Sequence, residues 1–349
     1  MAANYHFERA KVAKNIIENM FRVKKGETVA ITADSGSDME IVNAFADAAY
    51  AAGAKPLVMR FPKAEQDGQA GMPDWPSEAL TAALCHVDVW IELQEKIILY
   101  SDIWETAFKE NKKLRYLVIA DTPIKSLMRL FANYDVKMLG KFLNKVREQI
   151  KASRKVRITS ENGTDVYYEI EPTYLVDVDD GDYSKPKFGT APGYVNIVPK
   201  IGSMNGRIVF DKLMNVDISG ADDYVEFVMS NGSIAEIKGN RNAEIFKDYL
   251  ASFNDPNMYR ISHNMLGFHP NVRKLSGKIV EDERIWGGVD FGFGHTSPMD
   301  MPPHGQPAAS HYDGVIERTS IYLDDELIVK NGEVYHDDLK ELANKLLEK

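Results

Sequence analysis

Five of the eight histidines, His263, His269, His295, His304 and His311, fall within 49 residues. The same window holds Asp290, Asp300 and Asp313, and the glycine-rich run Gly287-Gly-Val-Asp-Phe-Gly-Phe-Gly294. Imidazole and carboxylate together are ligands for iron, zinc or manganese. In His311-Tyr312-Asp313 the outer residues are two apart, so on an extended strand both project to one face. They could ligate one ion, with a third group arriving from elsewhere. Two His and one carboxylate on one side of a metal leave open positions, the arrangement that non-haem Fe(II) oxygenases use for substrate and dioxygen.

The spacing does not decide the matter alone, because His86-Val87-Asp88 and His336-Asp337-Asp338 repeat it. His86 reads as a turn where a helix passes into a strand, and His336 as the start of a polar helix. Cys85, at the apolar end of a helix, reads as a core residue. A Cys–His nucleophile needs the two side chains to meet, which neighbours such as Cys85 and His86 rarely manage. Neither a G-x-S-x-G elbow nor an H-E-x-x-H zinc helix occurs. Met299–Gly305 reads as a loop near the site.

These groups need elements to position them. The first half alternates helical and strand patterns. Phe7–Phe21 has apolar residues at helical spacing, and Thr28–Thr32 is a short β-branched run. Asp34-Ser-Gly-Ser-Asp38 supplies turn and cap chemistry for a helix over 39–52 that Gly53 ends. Lys55–Phe61, Val87–Leu93 and Arg115–Ala120 read as further strands. Such alternation predicts an α/β N-terminal domain over 1–150 with an open, mostly parallel sheet. With neither G-x-G-x-x-G nor G-x-x-x-x-G-K-[ST] present, Ser35-Gly36-Ser37 reads as a helix cap and not as a phosphate cradle.

After a linker at Gln149–Arg154 the texture changes. Paired short strands flank Asn162-Gly163, Asn231-Gly232 and Asp324-Asp325, each a hairpin signal. Helices are expected over 242–253 and 337–347. The region 155–349 therefore reads as a β-rich α+β domain carrying the metal site.

The whole chain has 349 residues, 44% of them hydrophobic, enough for two domains that each bury a core. A net charge of −10 with no dense basic cluster argues against a nucleic-acid partner. No apolar run approaches the length of a membrane span, and the first residues lack the pattern of a signal peptide. The single Cys85 excludes an internal disulfide and a thiolate cluster. A cytoplasmic protein that meets no membrane is the expectation.

The segments Phe253–His263, Gly267–Pro270, Ser310–Gly314 and Ile321–Asp325 resemble the M29 metalloaminopeptidase (aminopeptidase T-like) superfamily, most nearly its 2,5-dihydroxypyridine 5,6-dioxygenase branch. That resemblance implies an iron held by His263, His311 and Asp313. The superfamily's peptidases use two metals with glutamate ligands. Here His263 falls on one such glutamate position, none is found near Gly193–Pro199, and Asp290 stands where a peptidase His would be. A dioxygenase His proposed to handle substrate protons falls on Tyr100, which can donate a proton but is a poorer base. Asp290, His295 and His304 are expected to surround the metal or touch substrate. The reading is a mononuclear Fe(II) dioxygenase opening a hydroxylated aromatic or N-heteroaromatic ring with O2, as a homo-oligomer. The alternatives are a Zn, Mn or Co aminopeptidase or amidohydrolase, and a binding protein that has lost its metal.

Overall fold

The computed structural model describes residues 5–120, 122–218, 220 and 223–348; the first four residues, part of the signal-peptide reading, lie outside it. Five strands form an all-parallel sheet in the order Lys55–Phe61, Thr28–Asp34, Val89–Glu92, Arg115–Val118, Lys187–Gly189. The inner strands are buried on both faces, as parallel strands under helices must be. Asp38 caps helix Met39–Ala51 by accepting from the Glu40 amide, and Gly53 follows the helix at φ 78°. The expected parallel architecture is observed.

Contacts divide the chain into two compact units, one running to Val136 and including Gly181–Pro192, the other Lys137–Asp180 with Gly193 onward. This differs from the expected 1–150 and 155–349 in two places. Nearly all of helix Val136–Ala152 belongs to the second unit, and the three-residue strand Lys187–Gly189 returns to the first sheet. So short a strand carries no periodicity to read. Cys85 is half-buried at the end of helix Ser77–Leu84, not in the core.

The second unit holds two antiparallel sheets. The larger has eight strands in the order Ser233–Gly239, Val225–Ser230, Asn205–Val209, Asp165–Glu169, Lys155–Thr159, Ser320–Leu323, Glu326–Lys330, Glu333–Val334. Asn231 and Gly232 at φ 51° and 77°, and Asp324 and Asp325 at 47° and 73°, make the left-handed two-residue turns that join its hairpins. The smaller has six strands in the order Lys212–Leu213, Gln306–Ile316, Val289–Thr296, Ile261–Gly267, Tyr194–Ile197, Val176–Asp179. One face of the smaller sheet packs on the larger: Phe293 meets Phe227 edge-on at 5.3 Å and stacks on Tyr312 at 5.3 Å, while Tyr168 Oη donates to Asn264 Oδ1 at 2.9 Å. The opposite face carries His263, Asp290, His311 and Asp313. Among the described residues no helix is long and apolar enough to cross a membrane.

Candidate metal centre

Alternation along three adjacent strands sends a defined set of side chains to that opposite face. His263 pairs with Gly292, Gly292 with Asp313, and Gly294 with His311. Partners across antiparallel strands share a face, so His263, Asp313 and His311 converge over the glycines of the central strand. The glycines make room. A Cβ on Gly292 would lie 2.3 Å from His263 Nε2, closer than any real contact. The register slips by one residue between Ile261 and His263, a bulge of the kind that re-aims a side chain.

The convergence is close. His263 Nε2 stands 3.1 Å from His311 Nε2 and 3.6 Å from Asp313 Oδ1, and His311 Nε2 is 3.0 Å from Asp313 Oδ1. Three ligands about 2.1 Å from one ion at right angles stand about 3.0 Å apart, so the triangle fits a single cation with its other positions open. Among the described residues this is the one group of three or more His, Cys, Asp or Glu able to share an ion.

Electrostatics agree with this fit. Burial disfavours a charge on His311, but Asp313 and the His295 carbonyl outweigh it and push its pKa up to about 9. Burial, and then the charge on His311, push His263 down to about 4. Burial favours a neutral Asp313, yet the His311 charge and hydrogen bond hold its pKa below the usual range.

Supporting groups fix the rings. His311 Nδ1 lies 2.8 Å from the His295 carbonyl, which also accepts from Ser262 Oγ at 2.9 Å; Thr296 Oγ1 donates to that hydroxyl at 2.6 Å. His311 therefore carries its proton on Nδ1 whenever Nε2 is a ligand. Asp290 is fully buried, and His263 Nδ1, 3.8 Å from its carboxylate, lacks a hydrogen-bond partner. A cation on Nε2 would place the His263 proton on Nδ1, facing that carboxylate. Burial raises the Asp290 pKa strongly, and the charges of Asp313 and Glu283 add to it.

The other expected residues lie differently. His295 approaches the centre through its main chain, and burial lowers its ring pKa. His304 is exposed on the loop after Thr296 and outside the ligand group. Tyr100 belongs to the first unit, half-exposed at φ 65° with its ring edge-on to Trp104. His86 is an exposed turn residue, and His336 caps the last helix. Sequence reasoning missed Ser262, adjacent to His263, and Glu281–Arg284, a run of charged residues that is buried throughout.

The family described as NicX, 2,5-dihydroxypyridine 5,6-dioxygenase, matches residues 15–336. The chain belongs to this family. A 2,5-dihydroxypyridine 5,6-dioxygenase of Pseudomonas putida is 24% identical over 334 residues, spanning 90% of this chain and 92% of that one. The structure of 2,5-dihydroxypyridine dioxygenase from Pseudomonas putida KT2440 is similar with a TM-score of 0.82 at 20% identity, over 97% of this chain and 100% of that one. AmpT from Thermus thermophilus shares the fold with a TM-score of 0.67 at 12% identity, over 95% and 100% of the two chains. The resemblance to the dioxygenase branch is borne out, and NicX membership makes this chain an enzyme of the ring-cleaving dioxygenase class.

Proposed function

We propose that this NicX-family enzyme is a mononuclear Fe(II) dioxygenase that opens a hydroxylated N-heteroaromatic ring of the 2,5-dihydroxypyridine kind. The observation that carries the reading is the triangle of His263 Nε2, His311 Nε2 and Asp313 Oδ1, with sides of 3.0 to 3.6 Å on one sheet face. Iron bound there supplies the electron transfer that lets triplet dioxygen react with a ring carbon. A single three-ligand site suits that chemistry better than the two-ion hydrolase alternative.

The protein's own groups prepare the site. His295 and Ser262 hold the His311 ring in one orientation, and Asp290 stands behind His263 in the same role. Buried Arg284 places a positive charge near Asp313 and Asp290, which favours their carboxylate forms.

The test is oxygen uptake by anaerobically purified, ferrous-loaded protein given 2,5-dihydroxypyridine. One O2 consumed per ring lost, abolished by His311→Ala, is the expected result. Ring substrates untouched, with amino-acid release from aminoacyl amides under Zn, Mn or Co, would establish the hydrolase instead.

A further inference from the structure

The strand bearing His311 and Asp313 is covered by a neighbouring strand along only part of its outer edge. Lys212–Leu213 pairs there with Val315 and Gly314 and goes no farther. Two methionine sulfurs take amides beyond it. The Ser310 amide donates to Met258 Sδ at 3.2 Å, and the Asp313 amide to Met214 Sδ at 3.4 Å. Met214 also donates its own amide to the Asp313 carbonyl at 3.0 Å. It therefore holds the main chain of a candidate metal ligand at both the N–H and the C=O.

The two thioethers differ in access. Met258 is fully buried, whereas Met214 is half-buried and within reach of a small oxidant. Oxidation of a thioether turns a flexible apolar side chain into a polar one, and exposure selects which methionine reacts. With hydrogen peroxide the sulfur attacks one peroxide oxygen. An S–O bond forms as the O–O bond breaks, the sulfur gives up two electrons, and the departing hydroxide takes the proton from the transferred oxygen and leaves as water.

The product does not fit the present geometry. A gap of 3.4 Å between Asp313 N and Met214 Sδ holds the amide hydrogen and no further heavy atom. The sulfoxide oxygen is the stronger acceptor. If it takes the Asp313 amide, the sulfur must move outward by about an S–O bond length; if it turns to water, the amide loses its partner. Either outcome shifts the main chain at Asp313, whose Oδ1 must stay 3.0 and 3.6 Å from two imidazole nitrogens to complete the triangle.

We infer that Met214 is an oxidative modification site coupled to the metal centre: its sulfoxide loosens Asp313 and releases the cation, and reduction of the sulfoxide restores binding. The inference rests on the metal centre and is independent of which ring the enzyme opens.

The test treats the full-length, metal-free protein with hydrogen peroxide, removes the oxidant with catalase, and then pairs peptide mass mapping with anaerobic titration of ferrous ion. Wild type should gain one oxygen at Met214 and none at Met258, and lose iron affinity about ten- to a hundredfold. Methionine sulfoxide reductase should return the affinity. Met214→Leu, a swap of similar volume, should keep its own affinity through the same treatment. Met299, 61% exposed, should take up oxygen in both proteins and so show that the peroxide acted. Met214→Gln, which introduces a polar oxygen without any oxidant, should bind iron more weakly than Met214→Leu. Met214 unmodified where Met299 is oxidised, affinity unchanged once Met214 is a sulfoxide, or an equal loss in the leucine variant overturns the assignment. Untreated wild type that takes up no ferrous ion overturns the metal centre, and the assignment with it.

Discussion

The Nε2 atoms of His263 and His311 face each other at 3.1 Å, with their rings stacked 5.0 Å apart and inclined by 18°. Two neutral imidazoles cannot both present lone pairs to one point without repulsion, so a proton or a cation must lie between them. With Asp313 closing the triangle, the cation has three donors ready and few degrees of freedom left to lose.

Removing one corner should abolish this binding. Ferrous ion at about a hundred times its Kd should stabilise wild type by about 2.7 kcal/mol, seen as a rise in Tm under anaerobic conditions. His311→Ala should show no rise. An equal rise in both proteins would place the ion elsewhere.

Gly292 is required by close approach and not by backbone conformation. In Gly292→Ala the new methyl would stand 2.3 Å from His263 Nε2, so the ring must leave its position. The variant should fold with a loss of roughly 1–3 kcal/mol and bind iron far more weakly. Wild-type iron content in the folded variant would show that His263 is not a ligand.

Asp290 separates stability from metal affinity. Its carboxylate is fully buried, and burial favours its neutral form, so Asp290→Asn should leave the metal-free protein as stable as wild type or more so. Metal affinity should fall about 10- to 100-fold, because the group that orients His263 is weakened. Isothermal titration with ferrous ion, beside urea unfolding of the metal-free proteins, reads both quantities. Unchanged affinity would deny Asp290 that role.

A second buried acid gives a pH signature in the first unit. Burial raises the Glu92 pKa from 4.5 to about 7, against the opposing hydrogen bonds of Tyr116 and the Ile98 amide. The folded state keeps its proton to about pH 7 while the unfolded chain releases it near 4.5. This contribution is therefore fully present below pH 4.5 and is lost as pH rises through about 7, on the order of 3 kcal/mol in all. Denaturant unfolding of wild type and Glu92→Gln across this range should show wild type losing stability relative to the variant as pH rises. A constant difference would mean that Glu92 ionises normally.

What the sequence made legible follows from the range of the forces involved. The parallel strands, the Asn231-Gly232 turn and the Asp38 cap are local, and their residues announce them. His311 and Asp313 were legible as a pair because strand alternation is itself local, and His263 entered through family resemblance. The return of Lys187–Gly189 to the first sheet was not legible, since three residues hold no period. Burial of Glu281–Arg284 was hidden too, because a charge run reads as solvated unless its tertiary surroundings are known. The support that Ser262 and the His295 carbonyl give His311 arises from a bulge and a strand register, which single residues do not encode.

The central claim is the position of one ion, and anomalous scattering at the iron edge measures it directly. A crystal of the ferrous-loaded enzyme should show one peak, about 2.1 Å from His263 Nε2, His311 Nε2 and an Asp313 oxygen. A fully loaded crystal with its iron elsewhere, or with any of these three side chains turned away from it, would contradict the account.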